Sequence, residues 1–174
     1  ISFVFVGTLS NGKQTLYAIQ LVEQLYKKGH HVALTVFGEG AERKSIEDYI
    51  TTNNLESIVS LQGNQTQETV KDAYIKNHFV VLPSLSEGWP KVIAEGMFWG
   101  CLPIASQVSC VPNMLDNGNR GLLLDFQLDA DVNQIESIIK DQNSYQTQVE
   151  NAIQWSRQYT LDVFENEIKQ LLQS

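Results

Sequence analysis

The chain is short of positive charge: 12 Lys and Arg stand against 20 Asp and Glu, a formal net charge of −8. Nucleic acid and anionic lipid are both held by clustered Lys and Arg, so this balance argues against either as a partner. Long apolar runs are absent too, which argues against membrane insertion, and no segment of these residues reads as a signal peptide. Cysteine is scarce, and Cys101 and Cys110 both lie in apolar surroundings. They read as reduced thiols of a cytosolic protein rather than as a disulfide framework. The three histidines, His30, His31 and His78, fall at helix-to-strand junctions without metal-ligand or relay spacing. No linker, low-complexity tract or internal repeat divides the chain.

What remains is a single domain of 174 residues, 43% of them apolar, enough for a sizeable core. Apolar runs and amphipathic segments alternate along it, which predicts an α/β fold with a parallel sheet covered on both faces. Ser2–Val6 reads as the first strand, followed by a helix carrying Leu16, Ile19, Val22 and Leu25 and closed by Gly29. His31–Phe37, Ile58–Leu61, Phe79–Leu82, Leu102–Ala105 and Gly121–Leu124 supply five more strands. Ala41–Thr52 and Glu68–Lys76 read as helices, and two or three more run from Asp131 to Gln173.

The densest stretch runs from Pro83 to Met97: strand end, glycine-containing loop, then helix. Glu87 lies in the loop, Glu95 lies inside the helix, and Pro90 suits a first helical position. Amides at such a helix start have no partner within the helix and can bind an anion. A loop carboxylate accepts hydrogen bonds from hydroxyls, and a helical one can do so for a ribose diol. A phosphate flanked by two polyols describes a nucleotide sugar. A glycosidase acid–nucleophile pair fits less well. It needs carboxylates about 5 Å apart. Glu95 lies five residues past Pro90, about 7.5 Å along the axis, with Glu87 further back.

This stretch resembles the E-x7-E signature of the group 1 (GT4-type) glycosyltransferases of the GT-B fold. Glu87 and Glu95 match its two glutamates, Pro83-Ser84 precede them, and Gly100–Ser106 follow as the family's pattern has it. The resemblance extends over nearly the whole chain. It implies a C-terminal donor domain, a Rossmann-like half of a GT-B fold, and residues 1–174 are expected to form that domain. The abrupt start at Ile1, already in a strand, suits a chain whose N-terminal acceptor domain is absent.

Gly7-Thr8-Leu9-Ser10-Asn11-Gly12-Lys13 joins the first strand to its helix, at the sheet edge where ligands bind. Gly7 allows close backbone approach, and Lys13 offers a point charge to a diphosphate. The family carries an arginine and a lysine in this loop. Lys13 matches the lysine, while Thr8 stands where the arginine is usual. Gly38-Glu39-Gly40 reads as a tight strand-to-helix turn, and the resemblance places Gly38 and Gly40 at the border of the nucleotide pocket. Asp129-Ala130-Asp131 looks like a D-x-D metal motif, but it precedes the amphipathic run from Val132 and reads as helix capping. Ser109-Cys110-Val111-Pro112-Asn113 departs from the family's usual Gly-Gly-x-x-Glu.

The resemblance implies a retaining transfer of sugar from a nucleoside diphosphate sugar to an acceptor hydroxyl, in polysaccharide or glycolipid assembly. Expected catalytic residues are Glu87 and Lys13. Expected donor contacts come from Gly7, Thr8, Lys13, Gly38, Gly40, Glu87, Gly88, Trp89, Lys91, Val92 and Glu95. No cofactor and no metal are expected, and the isolated domain is expected to be inactive. The expected location is cytoplasmic, with any contact to the inner face of a membrane made through the absent domain. Two other readings stay open: another GT-B sugar-nucleotide enzyme such as an epimerase, and a non-catalytic nucleotide-binding module.

Overall fold

The computed structural model describes residues 1–173. Six parallel strands form one sheet in the order β3-β2-β1-β4-β5-β6. They are β1 (Ser2–Val6), β2 (Ala33–Phe37), β3 (Val59–Gly63), β4 (Phe79–Leu82), β5 (Leu102–Ser106) and β6 (Leu122–Leu124). The helices are α1 (Thr15–Lys27), α2 (Arg43–Thr52), α3 (Gln67–Lys76), α4 (Lys91–Phe98), α5 (Val111–Met114), α6 (Leu128–Lys140), α7 (Gln142–Ser156) and α8 (Leu161–Gln173). All six strands expected from the apolar runs are present. β2 begins two residues later than expected and β3 runs two residues further, to Gly63.

Side chains alternate across a strand, so each apolar run serves two cores. Phe3 and Phe5 of β1 face α1, α2 and α6, packing with Ile19, Val22, Ile46 and Ile135. Val4 faces the other way, with Tyr74 of α3, Ile93 and Met97 of α4 and Ala152 of α7. The two layers of helix explain why β4 and β5 are buried along their whole length.

Gly29 closes α1 in the left-handed region at φ 91°, the conformation a helix end asks of glycine. Pro90 departs from expectation by one position: it sits just before α4, whose first helical residue is Lys91. The two aspartates also behave differently from simple caps. Gln127 occupies the capping position of α6, and Asp129 and Asp131 fall in its first turn. Asp131 is buried, accepting hydrogen bonds from the Tyr17 hydroxyl at 2.5 Å and the Asp125 amide at 3.0 Å. It clamps α1 to α6, and that carboxylate is committed to the fold. Cys101 and Cys110 are free thiols, as expected.

The loops after β1 and β2 are pressed backbone to backbone. Gly7 N donates to Phe37 O and Leu9 N to Glu39 O, each at 3.0 Å. A Cβ on Gly38 would meet Gly7 O at 1.9 Å, and one on Gly40 would meet Leu9 O at 2.2 Å. Both glycines are therefore required by this loop-to-loop packing. Gly12, by contrast, has nothing within 4 Å of a would-be Cβ. Gly40→Ala should lower stability by roughly 2 kcal/mol or more, and Gly12→Ala should stay within about 0.5 kcal/mol. Urea unfolding of the two variants checks this.

Candidate functional site

In this strand order the connections leaving β1 and β4 run to opposite sides, which opens a crevice at the carboxyl ends of two neighbouring strands. The loop after β1 carries Gly7 to Lys13, and the loop after β4 carries Pro83 to Pro90. They are tied together: Leu85 N donates to Gly12 O at 2.8 Å. Lys13 Nζ meets Glu87 Oε1 at 2.5 Å, across 74 positions of sequence. Glu87 is the more sheltered partner, its side chain 10% exposed against 30% for Lys13. The aliphatic part of Lys13 lies over Gly7, with Cδ 4.0 Å from where a Cβ would stand.

A second feature opens on the α3–α4 side of the crevice. Glu95 lines a cleft of about 660 Å³ with Val6, Gln65, Lys71, Tyr74 and Trp99. Through Val6, Gln65 and Val70 it continues into a smaller cleft of about 200 Å³ that reaches Gly7, Thr8 and Gly38. Lys71 Nζ lies 4.6 Å from the centre of the Trp99 ring, at the wall of the larger cleft. Burial pushes the Glu95 carboxyl above its ordinary range, while the Lys91 ammonium and the Tyr74 hydroxyl pull it back down. Burial likewise pushes the Tyr74 hydroxyl up, reinforced by the Glu95 charge.

The first turn of α4 follows directly on the loop that carries Glu87. Ile93 N bonds to Pro90 O at 3.0 Å. The amides of Gly88, Trp89 and Lys91 precede that bond and lie outside the helical ladder. The Gly88 carbonyl is held from behind by Cys110 Sγ at 3.1 Å and Ser109 Oγ at 3.3 Å. The Ser109-Cys110 departure from the family pattern thus braces the loop that carries Glu87.

The expected donor residues do not all converge. Gly7, Thr8, Gly38 and Glu95 line the two joined clefts, and Lys13 and Glu87 close on each other at the loop junction. Gly40 is spent on packing against Leu9, and Val92 is half-buried against the α3–α4 core. The Trp89 ring turns toward α7, with its centroid 6.1 Å from Trp155 and 5.8 Å from Tyr159. Sequence reasoning missed Gln65, Lys71, Tyr74 and Trp99. The one available signal was spacing: Trp99 lies four residues past Glu95, one helical turn along the same face. Asp129 and Asp131 fall in the first turn of α6 and line neither of these clefts.

A family model described as "Glycosyl transferases group 1" matches residues 1–155. The chain belongs to this family. Among curated relatives, the GtfA subunit of a UDP-N-acetylglucosamine–peptide N-acetylglucosaminyltransferase from Limosilactobacillus reuteri subsp. suis is 28% identical over 126 residues, covering 72% of this chain and 23% of that protein. The alpha-D-kanosaminyltransferase of Streptomyces kanamyceticus is 25% identical over 150 residues, covering 86% of this chain and 39% of that one. The chain thus spans less than half the length of these glycosyltransferases. Among solved structures, Anabaena HepE in complex with UDP and glucose superposes with a TM-score of 0.85 at 20% identity, over 99% of this chain and 48% of that one. The C-terminal domain of the group 1 family protein LpcC from Francisella tularensis gives 0.81 at 19% identity, over 91% and 85%. At these identities the likeness is one of fold: this is the half-domain architecture of GT-B glycosyltransferases.

Glu95 carries a consequence for stability. Its folded carboxyl holds a proton more tightly than the unfolded one, so below the ordinary carboxylate range it does not oppose folding. As pH rises through the raised folded value, that advantage is lost. Glu95→Gln should therefore melt slightly above the wild type at neutral pH, and the two should converge in acid. Calorimetric melting across pH checks this, and a variant that melts lower at neutral pH contradicts it.

Proposed function

We propose that this chain is the donor-binding domain of a retaining glycosyltransferase that uses a nucleoside diphosphate sugar. The observation that carries the reading is the junction of the two loops. It brings Lys13 and Glu87 together beside a helix start whose first amides are unused, with Glu95 in an adjoining cleft of nucleotide size. The diphosphate fits the Lys13 ammonium and the amides near Gly88, Trp89 and Lys91. Pro90 has no N–H to contribute. Glu95 fits the ribose hydroxyls and Glu87 the hydroxyls of the donor sugar.

In the unliganded chain Lys13 and Glu87 neutralise each other. A diphosphate brings several negative charges and competes for Lys13. That exchange frees the Glu87 carboxylate to accept from sugar hydroxyls and so orient the anomeric carbon. As the bond to the diphosphate breaks, charge builds on the leaving oxygens, and Lys13 and the helix-start amides stabilise it. UDP is the favoured nucleotide. A relative is named for UDP-N-acetylglucosamine, and solved structures of the same fold hold UDP. The acceptor hydroxyl belongs to a growing polysaccharide or glycolipid. We further propose that this domain binds the donor without transferring sugar on its own, and that full-length activity needs no metal. Asp131 is locked by Tyr17 and Asp125, and Asp129 is exposed at the start of α6.

The two glutamates should fail differently. Glu95→Ala should weaken UDP binding to this chain by roughly 1.5–3 kcal/mol, the worth of charged hydrogen bonds. Glu87→Gln in the full-length enzyme should cut turnover about 100-fold through misorientation while sparing free UDP. Calorimetry and steady-state kinetics separate the two. Equal loss of UDP affinity in both, with normal turnover at saturation, contradicts the assignment. EDTA should leave full-length turnover largely intact, and a strict requirement for divalent metal, with turnover lost in Asp129→Ala, would contradict the metal-free reading.

A further inference from the structure

A second surface adjoins the donor loop and is unused by the reading above. Trp89, two residues past Glu87, lies within 6.1 Å of Trp155, and Trp155 lies 4.7 Å from Tyr159. Two of the three rings are open to solvent, Trp89 at 48% and Tyr159 at 60%. Beside them, at the end of α7, is a cleft of about 400 Å³. Trp155 is its one aromatic wall, and the other six lining side chains are all polar. Arg120 is fixed over Trp155 at 5.1 Å and bonded to Met114 O at 3.0 Å, so the floor is rigid. Gln154 and Gln158 sit at its rim, exposed, with both side-chain amides free of partners among the described residues.

The chemistry selects the occupant. A pyranose has an apolar C–H face, which suits the electron-rich face of an indole or phenol ring. Its rim carries vicinal hydroxyls, which suit amides, a carboxylate and a guanidinium that donate and accept in plane. A protein partner would anchor an apolar side chain in a desolvated pocket, and this cleft has no aliphatic residue to form one. The surface is also continuous with the reacting end of the site through the Glu87-Gly88-Trp89 loop, which Cys110 holds in place.

We propose that the Trp89–Trp155–Tyr159 platform and its amide cleft bind an oligosaccharide, the saccharide chain whose end receives the transferred sugar. This rests on the reading of the chain as part of a sugar transferase. The platform would hold the acceptor by its interior residues and leave the terminal hydroxyl to the donor loop.

The chain has three tryptophans, and the structure places them in two environments: Trp99 in the donor cleft, Trp89 and Trp155 on the platform. Their indole N–H signals in an NMR titration therefore separate the surfaces: Trp99 reports the donor cleft, Trp155 the platform, and Trp89, next to the proposed diphosphate amides, answers to both. The probes are UDP and hexasaccharides of glucose, mannose, galactose and N-acetylglucosamine. At least one hexasaccharide should shift Trp89 and Trp155 and leave Trp99 still, whereas UDP should shift Trp99. Tyr159→Ala should weaken the saccharide by about tenfold. Gln154→Ala should weaken it as well, and neither should change UDP affinity. Trp89 and Trp155 unmoved by every hexasaccharide, with Trp99 still answering UDP, overturns the proposal and leaves the donor reading intact. A saccharide shift with no UDP response overturns the donor reading and leaves the saccharide surface standing. If the full-length polypeptide already covers both indoles and no saccharide reaches them, the occupant is protein and the proposal fails.

Discussion

Everything at the site depends on β1 and β4 being hydrogen-bonded neighbours. The chain builds one half of the sheet outward from β1 to β3, then returns to lay β4 on the other side of β1. The loops leaving these two strands have nothing between them but each other. Residues 74 positions apart can then share one hydrogen bond, and one cation and one carboxylate meet at the junction. Had β4 been added beside β3, two strands would separate the loops that carry Lys13 and Glu87.

Charge accounts for what happens next. The chain is acidic overall, yet its proposed ligand is a diphosphate. Lys13 is the one cation of the loop from Gly7 to Lys13, in which Thr8 is uncharged. The remaining positive potential comes from amides at the start of α4, which carry no net charge and are held by Pro90 and the bracing of Gly88. At Glu95 partial burial in the cleft disfavours the charged form, and the Lys91 ammonium and Tyr74 hydroxyl offset part of that.

The strands were legible in the sequence because a strand buried on both faces must be apolar throughout, and Phe79–Leu82 and Leu102–Ala105 are. The pairing of Glu87 with Glu95 on one loop-helix unit was legible for the same local reason. Contacts between distant segments were not. Nothing local to Asp131 points to Tyr17, which lies 114 positions away, so a buried clamp read as a cap. Gly38 and Gly40 read as ligand neighbours, while their backbone is shaped in the first instance by the loop above β1. Trp89 stands beside a donor residue in sequence, but the turn at Pro90 sends its ring toward α7. Spacing along the chain reports neighbours along an element, and side-chain direction after a turn depends on what the rest of the fold leaves open.

The central claim is that one ligand replaces the Lys13–Glu87 contact and spans the crevice to Glu95. A crystal structure of the chain with UDP tests it most directly. The account predicts the diphosphate between Lys13 Nζ and the first amides of α4, the ribose on Glu95, and Lys13 drawn away from Glu87. A nucleotide bound elsewhere, or one bound while the Lys13–Glu87 pair stays closed, would contradict it.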